Sequence, residues 1–159
     1  MQKLALLFPA GQLSFEQVKD AVLDVARFDV FDLGEVVLSG DAARLARTLD
    51  GLDGEGVAPQ LVLWAMSEEI RTAGRVLSAL SGGAQMQQAL RDLRIWGPRQ
   101  NLLQRHVNRL NHKQIAAALL HAARIDRMSK GLEKGDVWDE LLQLGLDLGD
   151  TRGTRAKAA

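Results

Sequence analysis

The chain has 159 residues, with 20 Lys and Arg against 20 Asp and Glu, and no cysteine. This length suits one domain, or one domain plus a fragment of another, with a real hydrophobic core. The missing cysteines exclude disulfides, thiolate metal sites and a cysteine nucleophile, and the zero net charge excludes nucleic-acid binding by total charge alone. No apolar run approaches the roughly 20 residues of a membrane span. Abundant Leu and Ala with few aromatics favour helices over sheets.

The first predicted helix spans residues 14–26, where Ser14 and Gln17 have the spacing of a capping box. Residues 27–40 are ambiguous, because their apolar residues fit either a short helix or a strand, and Gly40 ends them. The apolar side chains of the first helix recur at spacings of three and four: Phe15, Val18, Val22 and Val25.

Asp41 is the predicted N-cap of the next helix. Its apolar face comprises Ala42, Leu45, Leu49 and Leu52. Residues 53–56 are a predicted loop, after which Pro59 opens a long helix that runs to about Leu80. The apolar face of that helix has the strongest periodicity in the chain: Leu63, Met66, Ile70, Ala73, Leu77 and Leu80. Residues 81–83, Ser-Gly-Gly, end it.

A shorter helix is predicted over residues 84–93, and Gly97–Pro98 breaks the chain before another helix that begins near Arg99. The buried face of that helix is marked by Leu103, Val107 and Leu110. Asn111 and Gln114 have the spacing of a second capping box. The helix that follows has as its predicted buried face Ile115, Ala118, Leu119, Ala122 and Ile125.

Gly131 and Gly135 bracket a loop, and Asp136 is the N-cap of a last helix. The predicted inward side of that helix comprises Trp138, Leu141, Leu142, Gly145 and Leu148. Residues 151–159 are small, polar and basic, which is typical of a disordered tail. About seven helices without a clear strand indicate an all-α domain.

Residues 80–85 superficially match the signature loop of transport ATPases, but Ala84 interrupts the pattern. The chain also lacks the glycine-rich loop ending in Lys-Ser or Lys-Thr that would hold nucleotide phosphates. We therefore interpret residues 80–85 as a helix end and expect no nucleotide and no other cofactor.

Catalytic and metal sites are also not predicted. His106, His112 and His121 lack the spacing of four that places two metal ligands on one helix face. Glu68–Glu69 and Asp139–Glu140 are adjacent pairs whose members point in different directions on a helix, so we assign them to the helix surface. We expect no catalytic residues, no metal ligands and no enzymatic activity from this chain.

The neutral total charge conceals a basic segment, residues 94–130, in which eight basic side chains face only Asp126 and the net charge is +7. One interpretation is a solvated surface neutralised by acidic neighbours; the other is a surface for acidic partners or a nucleic-acid backbone. The candidate contact residues, which include one lysine beyond the segment, are Arg94, Arg99, Arg105, Arg109, Arg124, Arg127, Lys130 and Lys134.

Trp64, Trp96 and Trp138 all lie beside apolar periodicity, so anchoring in the core is the expectation for each. Trp96, next to Gly97–Pro98, fits a protein interface equally well.

Six segments, in this order, resemble the delta subunit of bacterial DNA polymerase III, a component of the sliding-clamp loader. They are DVARFDVFDL (24–33), SGDAAR (39–44), EGVAPQLVLW (55–64), LRIWGPRQ (93–100), ARIDR (123–127) and GDVWDEL (135–141). Each segment is weak alone, but their order and spacing match from about residue 13 to residue 148.

The resemblance implies an organisation in domains. Residues 1–28 would be the end of a small helical lid, residues 29–150 a C-terminal collar of orthogonally packed helices, and residues 151–159 the disordered tail. The ATPase-like domain that opens the clamp would precede residue 1 in a longer subunit, so the clamp contact is expected outside this chain. We expect residues 1–13 to be poorly ordered or to find a substitute contact.

The resemblance also implies a role in oligomerisation. Collar domains of five subunits pack in a circle in such loaders, and delta lies between a gamma/tau subunit and delta-prime in the bacterial cytoplasm. DNA is expected nearby and bound weakly at most by this part, and a homodimer is expected when the natural partners are missing. The alternative is a separate helical adaptor that binds nucleic acid through its basic face.

Overall fold

A computed structural model describes residues 29–149 of the chain. Its regular structure is entirely helical: a 3-10 turn at Val30–Asp32 and seven α-helices. We label these helices α1 (Leu33–Ser39), α2 (Ala42–Gly54), α3 (Pro59–Ser81), α4 (Met86–Asp92), α5 (Pro98–Val107), α6 (His112–Ser129) and α7 (Val137–Gly149). The all-α fold class is confirmed. The predicted helix at 14–26, the lid fragment and the tail lie outside the described residues.

The ambiguous residues after position 28 form helix rather than strand. Asp29 Oδ1 accepts a hydrogen bond from the Phe31 backbone N–H at 2.8 Å, which starts the 3-10 turn and then α1. Gly40 ends α1 in the left-handed conformation with φ of 72°. Four apolar side chains of this short helix are buried, and they are Leu33, Val36, Val37 and Leu38. Burial on nearly all sides removes the one-sided periodicity by which a helix is recognised in a sequence.

The predicted start of α2 is confirmed, because Asp41 Oδ1 accepts the Arg44 backbone N–H at 3.0 Å. Leu45, Leu49 and Leu52 are buried as predicted, whereas Ala42 in the first turn is exposed. The helix continues to Gly54, so half of the loop predicted at 53–56 belongs to the last helical turn.

Helix α3 is the longest helix in the described part of the chain and lies within one residue of its predicted bounds. Pro59 occupies its first turn, and the chain leaves it at Gly82 and Gly83. The Ala84 backbone N–H donates to the Ala79 carbonyl at 3.0 Å, which satisfies a carbonyl of the last turn. The interpretation of residues 80–85 as a helix end is confirmed.

Helix α4 is shorter than the predicted 84–93, and α5 begins at Pro98. The second capping box is confirmed at α6: Asn111 Oδ1 accepts the Gln114 N–H at 2.8 Å, and Gln114 Oε1 accepts the Asn111 N–H at 2.9 Å. Asp136 Oδ1 likewise accepts the Asp139 N–H at 3.1 Å. In α7, Leu144 is fully buried and was absent from the predicted inward side, while Trp138 packs half-buried against the core.

Helices α3 and α6 run antiparallel against each other. Gln60 Nε2 at the start of α3 donates to the Ser129 carbonyl at the end of α6 at 3.5 Å, and Ser81 Oγ lies 2.9 Å from His112 Nε2 at the opposite ends. Helix α7 packs on α6 and α2, and α1 contacts α3, α5 and α7. The interior is one continuous apolar core. No helix in residues 29–149 is both long and apolar enough to cross a membrane.

Gly145 on α7 allows the close approach of α2. A Cβ placed at Gly145 would overlap Leu45 Cδ2, and Leu45 is itself buried. In contrast, a Cβ at Gly54, the last residue of α2, would meet no atom within 4 Å.

We expect Gly145→Ala to lower the free energy of unfolding by about 1–2 kcal/mol. Overpacking costs about 1–3 kcal/mol, and the better helix propensity of Ala returns up to about 1 kcal/mol. Gly54→Ala, the same change without a clash, should be neutral or slightly stabilising. Urea unfolding of both variants measures the difference, and equal stabilities would contradict this packing of α2 on α7.

Candidate partner-binding surface

The eight candidate residues are all exposed, and they follow the chain from the corner between α4 and α5 to the loop before α7. They fall on several different elements rather than on one helix. The corner holds Arg94, α5 holds Arg99 and Arg105, the α5–α6 turn holds Arg109, α6 holds Arg124 and Arg127, and the loop that follows holds Lys130 and Lys134.

Three of the candidates at the end of α6 are paired with two nearby carboxylates, which balance two of their three charges. Glu133 accepts hydrogen bonds from Arg124 Nε at 2.7 Å and from Arg127 Nε at 3.2 Å, and Lys130 Nζ donates to Asp126 Oδ2 at 2.8 Å. The Arg124 hydrogen bond is the main cause that holds the pKa of Glu133 below its usual value. Such exposed pairs add little to the stability of a fold, so their main effect is to reduce the positive charge offered to a partner.

A fourth candidate, Arg99, pairs with a carboxylate from another helix. Its Nη2 donates to Glu69 Oε1 on α3, and the Glu69 side chain is only 12% exposed. Burial raises the pKa of the Glu69 carboxyl, while the nearby charge and hydrogen bond of Arg99 act in the opposite direction. The assignment of Glu69 to the helix surface is therefore wrong: its carboxylate joins α3 to the first turn of α5.

The remaining four candidates, Arg94, Arg105, Arg109 and Lys134, have no carboxylate within 4.0 Å among residues 29–149. Arg105 Nε donates only to the Asn101 carbonyl of its own helix, at 3.3 Å. Three of the four lie on α5 or at its two ends. The structure thus divides the eight candidates into four with a carboxylate partner, three of them at the C-terminal end of α6, and four without one, three of them around α5.

The corner before α5 contains two residues with positive φ, Arg94 and Gly97. Arg94 has a φ of 57°, in the left-handed region, where its N–H donates to the Arg91 carbonyl at 2.9 Å and the Ile95 N–H donates to the Leu90 carbonyl at 2.9 Å. This is the Schellman pattern, in which glycine usually takes the position of Arg94. Gly97, with φ of 70° and ψ of −151°, lies in a region that only glycine adopts readily.

Between these two residues lies Trp96, which is 62% exposed. Anchoring in the core is therefore wrong for Trp96, and the interface interpretation stays open. It is also wrong for Trp64, which is 52% exposed on α3 beside the buried Leu63. Both exposed tryptophans were expected in the core because they lie beside apolar periodicity, and neither is buried.

The three histidines have three different environments. His106 in the last turn of α5 is 7% exposed, and burial, with a smaller contribution from the charge of Arg109, lowers its pKa to about 4. His121 Nε2 lies 2.6 Å from Glu140 Oε2 and so joins α6 to α7. His112 contacts Ser81, a Ser–His pair that the sequence did not reveal, but that pair lies at the exposed ends of two helices.

Residues 29–149 contain no group of three His, Asp or Glu side chains that could hold a metal ion. An open groove of about 890 Å³ runs between α1, α2, α6 and α7, and its lining includes Arg109, His121 and Asp147. Of the eight candidates, the groove lining includes Arg109 alone.

His106 should make stability depend on pH. Its pKa is near the usual 6.5 in the unfolded chain and about 4 in the folded one, so the unfolded state gains a proton first as the pH falls. The free energy of unfolding should therefore drop by up to roughly 3 kcal/mol between pH 6.5 and 4 and should be unaffected by His106 above pH 7. Urea unfolding at pH 7 and pH 4.5 measures this change.

The variant His106→Leu should lose that part of the pH dependence, while His112→Leu, at an exposed histidine, should keep it. Carboxylates also titrate in this pH range. The quantity to compare is therefore the difference between wild type and each variant in how the free energy of unfolding changes with pH. Parallel pH profiles for wild type and His106→Leu would contradict a buried neutral imidazole.

Arg94→Gly should raise the free energy of unfolding by about 1 kcal/mol, because a left-handed residue with a Cβ costs about 1–2 kcal/mol. Arg94→Ala removes the same guanidinium but keeps the Cβ, so it should bring no gain. Urea unfolding distinguishes the two. If both variants were equally stable, the strain at this corner would be disproved.

No family model matches the chain. It is 28% identical over 146 residues to the DNA polymerase III subunit delta of Escherichia coli (strain K12), an alignment that covers 92% of this chain and 42% of the relative. It is 27% identical over 156 residues to the protein of the same name from Haemophilus influenzae, covering 93% of this chain and 45% of the relative. The chain thus spans less than half the length of these curated relatives and aligns with their C-terminal part. The resemblance in the sequence motifs is confirmed: the chain is similar to the C-terminal part of the DNA polymerase III delta subunit.

Proposed function

We propose that this chain acts as the helical collar of a delta-type subunit in a bacterial clamp loader, the assembly that loads the sliding clamp on primed DNA during replication. The observation that carries the proposal is the alignment of 92% of the chain with the delta subunit. An all-helical structure over residues 29–149 supports it, because helix faces are what a collar packs together. Within this proposal, residues 29–150 are the collar and residues 1–28 the end of a lid.

The proposed partners are a gamma/tau subunit on one side and delta-prime on the other, in the bacterial cytoplasm. Assembly would depend on burial of helix faces, with charged residues selecting which neighbour fits. No bond chemistry is required of any residue, so the proposal includes no enzymatic activity, and the contact with the clamp would belong to the N-terminal part of a full-length subunit.

The unneutralised cations support a contact with acidic side chains or phosphates. Arg94, Arg105 and Arg109 carry charge that no carboxylate in residues 29–149 balances within 4.0 Å. Arg94 also occupies a position where glycine would be about 1 kcal/mol more favourable, so the arginine is present there at a cost in stability. Residues held against their backbone preference are found preferentially at functional sites. Because Arg124, Arg127 and Lys130 are paired with Glu133 and Asp126, DNA binding by the chain alone should be weak.

The test mixes the chain with gamma/tau and delta-prime subunits and measures co-elution by size exclusion. The double variant Arg105→Glu/Arg109→Glu should weaken complex formation about tenfold or more if these residues face partner acids. Arg44→Glu/Arg47→Glu on α2, which reverses the same charge outside the basic segment, is the control and should leave binding unchanged. Failure of both subunits to bind the wild-type chain would refute the collar function.

A DNA titration at two salt concentrations tests the adaptor alternative. For the collar we expect weak binding of primed DNA by the isolated chain. Tight binding with a steep salt dependence, lost in Arg105→Glu/Arg109→Glu, would favour a separate nucleic-acid adaptor instead.

A further inference from the structure

The exposed face of α3 carries a regular row of side chains that are substantially exposed to solvent. We call this row the α3 stripe. Its members recur at spacings of three and four, which places them on one side of the helix. They are Leu61, Trp64, Glu68, Arg71, Arg75 and Ser78.

The α3 stripe is accessible along its length. Leu61 is 42% and Trp64 52% exposed. The side chains of Glu68 and Arg71 are 41% and 51% exposed and form an ion pair of 2.8 Å within the helix. Arg75 Nη2 donates to Thr72 Oγ1 at 3.1 Å and has no carboxylate within 4.0 Å in residues 29–149. Aromatic, negative and positive groups therefore follow one another from the N-terminal to the C-terminal end of α3.

This order is self-complementary when the helix is reversed. A two-fold axis that passes between Glu68 and Arg71 places each Glu68 opposite the Arg71 of a second copy, which makes a cluster of four alternating charges. The same axis places Trp64 opposite Arg75, where a guanidinium can stack on the indole as a cation–π pair. A parallel pairing would instead place Glu68 against Glu68 and Arg71 against Arg71, which is repulsive.

We propose that two copies of this chain pair antiparallel along the α3 stripe to form a two-fold symmetric homodimer. The interface is isologous, as two-fold dimers require, because the same residues contribute from both copies. One exposed helix face gives a total buried area at the low end for specific interfaces, below about 1,200 Å². The dimer is therefore weak, and it is observable at high protein concentration rather than at the concentrations of a tight complex.

Sedimentation equilibrium of the complete 159-residue chain tests the pairing through its charges. The wild type should dimerise in a concentration-dependent way, with a dissociation constant below about 1 mM. Glu68→Arg and Arg71→Glu, each alone, should weaken the dimer about tenfold or more, because each introduces like charges across the axis. The double variant Glu68→Arg/Arg71→Glu restores alternating charges and should dimerise within a factor of about three of the wild type.

The matched control is Arg47→Glu, an exposed charge reversal on α2, which should leave dimerisation unchanged. Because all of these side chains are exposed, circular dichroism should show the same helicity in every variant. A wild type that is monomeric at all concentrations, or a double variant as weak as the single ones, would overturn the proposal.

Cross-linking tests the register, and it benefits from a chain without native cysteine. Leu61 and Ser78 are 17 positions apart, about 25 Å along one helix, but the proposed axis places Leu61 of one copy beside Ser78 of the other. With a bismaleimide that spans roughly the 8–10 Å between packed helices, Leu61→Cys/Ser78→Cys should give a covalent dimer.

Leu61→Cys alone and Ser78→Cys alone should remain monomeric under the same conditions, since antiparallel pairing holds identical positions about 25 Å apart. Arg75→Gln in the double-cysteine background should reduce the cross-linked yield, because it removes the cation opposite Trp64. Efficient cross-linking of either single variant would show a parallel or shifted pairing and would refute the proposed register.

Discussion

The structure depends on the antiparallel packing of α3 against α6. The two helices contact from the Gln60–Ser129 hydrogen bond at one end to the Ser81–His112 contact at the other. Between these ends their apolar faces form the largest helix–helix contact in the described residues. Gly74 permits this approach, since a Cβ there would lie 3.2 Å from Ile115 Cγ2. The remaining helices pack on this pair or on each other, so the direction of every exposed face follows from it.

The same packing decides which charges are available to a partner. After the C-terminal end of α6, the loop supplies Glu133, which pairs with Arg124 and Arg127 and balances one of their two positive charges. On α3, the largely buried Glu69 carboxylate pairs with Arg99 of α5. Among the candidates, the cations without a nearby carboxylate in residues 29–149 are Lys134 and, around α5, Arg94, Arg105 and Arg109. A net charge of +7 over a stretch of sequence therefore becomes, in three dimensions, a smaller and more localised positive surface.

The sequence predicted the helices well wherever the signal was local. Capping side chains act within three residues, so Asp41, Asn111 and Asp136 were assigned correctly before any tertiary contact was known. The long periodicity of α3 also predicted its bounds within one residue. The failures came from contacts between distant parts of the chain. Glu69 and Arg99 are 30 positions apart, and nothing in their surrounding sequence indicates that they meet.

Trp64 shows a different limit of sequence reasoning. It follows the buried Leu63. Successive residues of a helix are rotated by about 100° around its axis, so the Trp64 side chain points to solvent although its neighbour points into the core. Hydrophobicity alone placed it in the core, whereas the position of α6 places it at the surface. For the candidate residues, the sequence predicts a positively charged segment, but only the fold distinguishes the cations that have a nearby carboxylate from those that do not.

Strongly perturbed ionisable groups usually indicate a catalytic site, but here they are better explained by the needs of α5. This helix buries only Leu103, His106 and Val107, so apolar contacts alone hold it weakly. Glu69 binds its first turn through Arg99, and the neutral His106 fills the core from its last turn. Burial costs free energy for both groups, and together they hold the two ends of α5. Arg94, Arg105 and Arg109 lie on this helix or near its ends. Within the proposed collar function, the buried Glu69 and His106 therefore position the cations around α5 for contact with a partner subunit.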